Sequence, residues 1–150
     1  LAIVGVGHEL RGDDAAGIAI VQALQSSVNA QSLIINAGTV PENVTGALRG
    51  FAPDLVLIID AVQMNEMPGT IRLLDIRDTE NCSVTTHTLS FHMFAFYLET
   101  ELNCMVKLLG IQAGQDLLGA EFSRPVYQSI CTIRRVLHNL SENDHASCIS

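Results

Sequence analysis

Asp54-Leu55-Val56-Leu57-Ile58-Ile59-Asp60 is the stretch on which the fold turns. Five aliphatic residues between two acids are long enough for a strand and short for a buried helix. The run does not alternate with polar residues, so it reads as a central strand covered on both faces. Toward the N-terminus, Leu1 to Val6 reads as a first strand. Asp14 to Leu24 follows as a helix, with Ala15, Ile18, Ala19, Val21 and Leu24 near a 3.6-residue period. Leu33 to Ile35 is a short second strand and Val44 to Leu48 a short helix. Toward the C-terminus, Pro68-Gly69 marks a turn. Thr70 to Leu74 alternates and carries Arg72, as an edge strand would. Leu89 to Leu98 reads as a helix and Met105 to Ile111 as a further strand. Arg124 to Leu140 reads as a last amphipathic helix, with Val126, Ile130, Ile133 and Leu137 at helical spacing. The tail from Ser141 to Ser150 is polar and is expected to fray. This order predicts a three-layer α/β/α sandwich with a mostly parallel sheet. The strand after Pro68-Gly69 is expected to run antiparallel, since no helix separates it from its predecessor.

Composition narrows the function. The 150 residues fit one domain, and tryptophan is absent, so the core must be aliphatic. A formal net charge of −8 repels phosphate backbones and argues against nucleic acid as a partner. No apolar run approaches the roughly 20 residues of a membrane span. The start lacks the basic region and cleavage site of a signal peptide. It reads as a strand already under way, so a few residues are expected in front. Cys82, Cys104, Cys131 and Cys148 form no C-x-x-C pair. They read as reduced thiols, which places the chain in the cytoplasm.

Sites in open parallel sheets lie outside the carboxyl ends of the strands. After the first strand come Gly5-Val6-Gly7-His8-Glu9-Leu10-Arg11-Gly12-Asp13-Asp14, after the central strand Asp60, and after the fifth Gly110, Ile111 and Gln112. Asp60 stands out, because a carboxylate at the end of an apolar run is poorly solvated unless it meets a cation or donors. Asp13 and Asp14 open a helix, where one acid serves as a cap and the second is left to be explained. His87 follows the edge strand by about a dozen residues, and extended chain at roughly 3.3 Å per residue can bring it back to the site. Two carboxylates and an imidazole make an oxygen–nitrogen set that suits nickel, zinc or cadmium better than calcium. Thr39-Val40-Pro41-Glu42 has the form of a capping box, which assigns Glu42 to structure. Gly5-Val6-Gly7 invites a dinucleotide reading, but Leu10 replaces the third glycine and Asn36 replaces the ribose-binding acid. Neither a serine nucleophile paired with a base nor an H-E-x-x-H helix is present.

These residues together resemble the hydrogenase maturation endopeptidases. The likeness rests on Gly5-x-Gly7 with Gly12-Asp13-Asp14-x-x-Gly17, on Ala37-Gly38-Thr39-x-Pro41-Glu42-Asn43, and on Ile58-Ile59-Asp60-Ala61. It continues through Pro68-Gly69-Thr70-Ile71, Thr85-Thr86-His87, Leu109-Gly110-Ile111-Gln112, Gly119 and Phe122-Ser123. The Pro-Glu-Asn turn and Asp14 look most like the branch serving formate-linked, hydrogen-evolving enzymes. The resemblance implies a mixed five-stranded sheet with one antiparallel strand, and a single protease domain over residues 1–140. It implies an endopeptidase that removes the C-terminal extension of the [NiFe]-hydrogenase large-subunit precursor after nickel insertion, acting as a monomer. Carried over, the nickel-contacting carboxylates fall on Asp14 and Asp60 and the histidine on His87, while Asp13 keeps a capping role. The nickel then arrives with the substrate and is not a resident cofactor. The family usually has Asn where His8 stands, Gly at Ala15 and often Asp at Asn36, so His8 is a candidate extra ligand. The competing expectations are a peptidase of the same fold acting on another precursor, as the spore-germination proteases do, and a non-catalytic nickel-sensing chaperone.

Overall fold

In the structure, a computed structural model, residues 1–27, 31–76 and 88–146 are described. The elements follow in the expected order: β1 (Ala2–Val6), α1 (Ala16–Leu24), β2 (Leu33–Gly38), α2 (Thr45–Phe51), β3 (Leu55–Val62), β4 (Ile71–Asp75), α3 (Thr88–Leu102), β5 (Met105–Gln112) and α4 (Arg124–Ala146). The five strands form one sheet in the order β2-β1-β3-β5-β4. The first three pairings are parallel, and β4 runs antiparallel to β5. The antiparallel strand is thus where the Pro68-Gly69 turn put it in direction. Its neighbour, however, is β5 and not its predecessor β3.

The apolar run of β3 lies between β1 and β5, as its lack of alternation requires. Val56, Ile58 and Val62 face a core closed by Val44, just before α2, by Leu48 of α2 and by Phe91, Phe94 and Leu98 of α3. Ile59 faces the opposite core, closed by Ile20, Val21 and Leu24 of α1 and by Val126, Ile130 and Ile133 of α4. This is the three-layer sandwich. At the free edge, Arg72 is exposed and pairs with Glu66 at 2.7 Å, while Lys107 reaches Asp75 of the neighbouring strand at 2.8 Å. Charges of this kind protect an edge from pairing with another chain.

Several boundaries move. Strand β3 continues through Ala61 and Val62, so Asp60 lies inside the ladder opposite Gly110 and does not end the strand. The first helix is preceded by a 3-10 turn over Gly12–Ala15 and starts at Ala16. Neither Asp13 nor Asp14 is its cap residue. The T-x-x-E capping box does not form: Val40 precedes the 3-10 turn Pro41–Val44, and no side chain caps it. Helix α4 runs to Ala146, so helical backbone covers the first residues of the segment read as a tail. Cys104 is buried and free, and Cys131 is free and half-buried.

The glycines after β1 serve close packing. A Cβ on Gly17 would fall on the carbonyl oxygens of Val6 and Ile59, and one on Gly5 would meet the Gly17 carbonyl. Helix α1 therefore sits directly against the ends of β1 and β3. Gly17→Ala is expected to push the helix off the sheet and to cost about 1–3 kcal/mol, as overpacking does. Chemical denaturation checks this, and an unchanged midpoint would show that the helix has room to move.

Candidate active site at the carboxyl edge

Two strand ends and one turn build the site. Strand β1 leaves the sheet at Val6 and enters the loop that leads to the 3-10 turn Gly12–Ala15. Because α1 packs so closely, this turn is held over the carboxyl ends of β1 and β3. It carries Asp13 and Asp14 side by side.

Asp60 is 1% exposed. Strand alternation puts it on the face of Ile58 and Val62, which α2 and α3 cover. Neither of its carboxylate oxygens has a hydrogen-bond partner among the described residues. Burial pushes the Asp60 carboxyl well above the usual range, and the negative charge of Asp14 pushes it further. The Ala61 amide pulls the other way without making a well-formed hydrogen bond to either oxygen. A buried acid with no donors is costly, and native proteins rarely leave one without a reason. Asp14 is half-buried and close enough for its charge to act on Asp60, so the structure brings together two of the three residues singled out above.

The third, His87, lies outside the described residues. Helix α3 begins at Thr88, and its far end at Leu102 lies just before the start of β5. Its first turn is thus at the carboxyl edge of the sheet. Among the described residues no group of three acids, imidazoles or thiols is assembled to hold a metal ion.

Asp13 does something that local sequence did not reveal. It is fully buried, yet its carboxylate is saturated. It accepts hydrogen bonds from the amides of Gly114 (2.8 Å), Gln115 (2.9 Å) and Ser123 (2.7 Å), and from the Ser123 hydroxyl (2.7 Å). The Asp13 amide in turn donates to the Gln115 carbonyl at 2.9 Å. Asp13 is thus a latch that fastens the segment after β5 to the turn bearing Asp14. The two adjacent acids have opposite environments: Asp13 is surrounded by donors, and Asp14 faces another carboxylate.

Gln112 is a second latch. Its Oε1 accepts from the amides of Met64 (2.6 Å) and Glu66 (3.2 Å), and its Nε2 donates to Gln63 Oε1 (2.7 Å) and the Ala113 carbonyl (2.9 Å). Its place at a strand end was visible in the sequence, but its work is to hold the loop after β3.

His8 is a weaker ligand candidate than its position implied. Its Nδ1 accepts a hydrogen bond from the Leu10 amide at 3.2 Å. That bond engages Nδ1 and leaves only Nε2 for another partner. Asn36 donates to Glu9 Oε1 at 3.3 Å beside Gln22 at 3.2 Å. An acid at position 36 would face Glu9 with like charge.

With this geometry in place, comparison with known proteins gives one answer. A sequence model of the family described as hydrogenase maturation protease (HycI) matches residues 18–139. The chain belongs to the hydrogenase maturation protease family. A Methanocaldococcus jannaschii protein described as a hydrogenase maturation protease is 38% identical over 120 residues, which are 75% of this chain and 71% of that protein. The hydrogenase 3 maturation protease of Escherichia coli K12 is 29% identical over 141 residues, covering 92% of this chain and 88% of its own. The crystal structure of a [NiFe] hydrogenase maturation protease HycI from Thermococcus kodakarensis superposes with a TM-score of 0.87 at 29% identity, covering 94% and 91% of the two chains. The solution structure of the endopeptidase HycI from Escherichia coli gives a TM-score of 0.80 at 26% identity, covering 92% and 88%. Membership in the hydrogenase maturation protease family makes this chain a peptidase, as its motifs implied. The mixed sheet with one antiparallel strand is likewise the family's fold. Among the described residues, no helix is long and apolar enough to cross a membrane.

Proposed function

We propose that this chain is an endopeptidase that removes the C-terminal extension of a [NiFe]-hydrogenase large-subunit precursor, and that it does so only after nickel is in place. The observation that carries the reading is Asp60: a buried carboxylate, both oxygens unpartnered among the described residues, with Asp14 beside it. Without a cation, burial and the charge of Asp14 both disfavour ionising such a group. A divalent cation lowers the cost of ionising it, so the site gains charge only when metal arrives. On this reading the nickel is part of the substrate, and Asp14, Asp60 and His87 complete its coordination. His87 immediately precedes α3, whose first turn lies at the carboxyl edge, and this placement supports its inclusion. An unloaded precursor offers the three residues little to bind, and specificity follows from that difference in affinity. The protein is read as a cytoplasmic monomer with no metal of its own.

The chemistry needs a water molecule, a base and a polarised carbonyl. Nickel held against the scissile carbonyl acts as a Lewis acid on its oxygen. Asp14, half-buried and thus open to water, is placed to take the proton of the attacking water. Water oxygen bonds to the carbonyl carbon, the carbon–nitrogen bond breaks, and the proton passes from Asp14 to the departing amine. Asp60 serves the cation alone, while Asp14, a ligand of the same cation, also takes the proton.

The test follows the mass of nickel-loaded and nickel-free precursor on mixing with the protein. Loss of a C-terminal peptide from the loaded form alone is expected. Equal cleavage of both forms removes nickel recognition from the proposal. Binding of the loaded form with no cleavage favours the non-catalytic chaperone. His87→Ala and Asp14→Asn are each expected to lower cleavage roughly a hundredfold or more, and full activity in both rejects the assignment of the site.

A further inference from the structure

The Gln112 side chain has no freedom left. It is 4% exposed, at the end of β5. Its Oε1 accepts from the amides of Met64 and Glu66, which fills both lone pairs. Its Nε2 gives both hydrogens, one to Gln63 Oε1 and one to the Ala113 carbonyl. Turning the group over would set its NH2 against two backbone N–H groups, so these partners permit one orientation. A buried polar group satisfied in this way specifies a single local arrangement. That orientation decides the next one. Gln63 must present its oxygen to Gln112 Nε2, because an NH2 there would meet another NH2. Gln63 Nε2 is then turned away from Gln112. The side chain is exposed, and among the described residues its two N–H hydrogens have no acceptor. A free surface glutamine offers either end, whereas this one offers a donor only.

Measured contacts put this donor at the reactive end of the sheet. Val106 and Leu108 of β5 share the face of Ile58 and Val62, so alternation places Gly110 and Gln112 on the face of Asp60. Asp60 pairs with Gly110, and Val62 with Gln112. Loop 63–66 folds onto that face: Met64 Sδ lies 3.3 Å from where a Gly110 Cβ would be, on the rung of Asp60. On the other side, Gln112 Nε2 is shared with the Ala113 carbonyl, and the next residue, Gly114, donates its amide to Asp13 Oδ2, beside Asp14. Gln63 is thus held by a residue that adjoins both the rung of Asp60 and the segment fastened next to Asp14.

We propose, on the protease reading above, that Gln63 Nε2 donates to a backbone carbonyl of the precursor beside the cleaved bond, and that Gln112 is the positioning residue that aims it. A polypeptide presents a carbonyl acceptor at every residue. A donor already fixed in place binds one without the entropy cost of ordering a free side chain. Gln63 then grips the chain of the precursor, separately from the carboxylates that sense its metal.

The test measures KM and kcat on nickel-loaded precursor for the wild-type protein, Gln63→Glu and Gln63→Met. Glutamate keeps an oxygen for Gln112 and replaces the donor by a second oxygen. Methionine, of similar length, removes both. Position 63 is exposed, so both variants fold. Each is expected to raise KM about tenfold or more, with kcat within about threefold. If Gln63→Glu keeps or lowers the wild-type KM while Gln63→Met raises it, Gln63 only anchors its loop and the donor role is overturned. A wild-type KM in both variants overturns it too, as does a rise confined to Gln63→Glu, which is the mark of added charge. Gln112→Glu cannot donate to Gln63, so it turns the Gln63 oxygen outward and is expected to raise KM likewise. An unchanged KM there overturns the positioning role. Each of these results leaves the protease reading standing beside an active wild-type protein. A wild-type protein that cleaves no precursor overturns both.

Discussion

Asp60→Asn is expected to give a folded protein whose cleavage of nickel-loaded precursor falls roughly a hundredfold to ten-thousandfold. The side chain keeps its shape and loses its ability to carry negative charge. Because Asp60 is buried without a hydrogen-bond partner, that charge has no structural use among the described residues. Stability should therefore move in the opposite direction from activity. The folded-state pKa of Asp60 is raised above that of the unfolded chain. Below the unfolded value, about 3.9, the carboxyl is protonated in both states and costs nothing by ionisation. As pH rises from there through the folded-state value, the unfolded chain releases its proton more readily, and the wild-type protein loses stability relative to it. The slope reaches about 1.4 kcal/mol per pH unit for a single group. Asparagine does not titrate, so the melting temperature of Asp60→Asn should gain on that of the wild type between pH 4 and pH 7. Thermal melts of the pair at both pH values read this directly. A constant difference would remove the account of Asp60 as an unpaired acid, whatever the cleavage assay shows.

Asp13→Ala is the mirror case. Here the carboxylate is fully used, and its removal leaves the amides of Gly114, Gln115 and Ser123 without their acceptor. Hydrogen bonds to a charged group are worth about 1.5–3 kcal/mol each, and several on one group do not add in full. A loss of roughly 3–4 kcal/mol is expected. In a domain of this size it lowers the melting temperature by about 10 °C. Asp13→Asn should cost about half as much. Its oxygen can stay on the side that meets Gly114, Gln115 and the Ser123 hydroxyl, which leaves its amide facing only the Ser123 amide. Equilibrium unfolding in urea ranks the three proteins. Equal stability of Asp13→Ala and the wild type would show that the segment after β5 is held by something else.

These neighbours show how much of the site could be read from one dimension. Both were visible as a pair of acids at a helix start, and capping was a sound reason for one of them. The capping assignment for Asp13 fails because its partners lie about a hundred residues away, in a segment where Phe122-Ser123 carries a family likeness and no local signal of the bond. Local pattern carries no record of such a bond. Gln112 is similar: its position at a strand end was legible, and its four partners were not. Glu42 shows the converse, since a capping box was present in the letters and absent from the structure. Pro41 and Val44 are the buried members of that turn, and the packing of the turn won over the box.

The sequence by itself determined the kind and order of the elements, because those depend on periodicity. Leu55 to Ile59 must be a doubly covered strand, and Val126, Ile130 and Ile133 must share a helix face, wherever the rest of the chain goes. It also determined which residues deserved chemical attention, since carboxylates beside apolar strand ends are anomalous in any fold of this class. Only the tertiary structure decided that β4 pairs with β5, that Asp13 is satisfied and that Asp60, among the described residues, is not. Each of these is a balance of solvation and hydrogen bonding between segments far apart in the chain. Such a balance exists only once the segments meet.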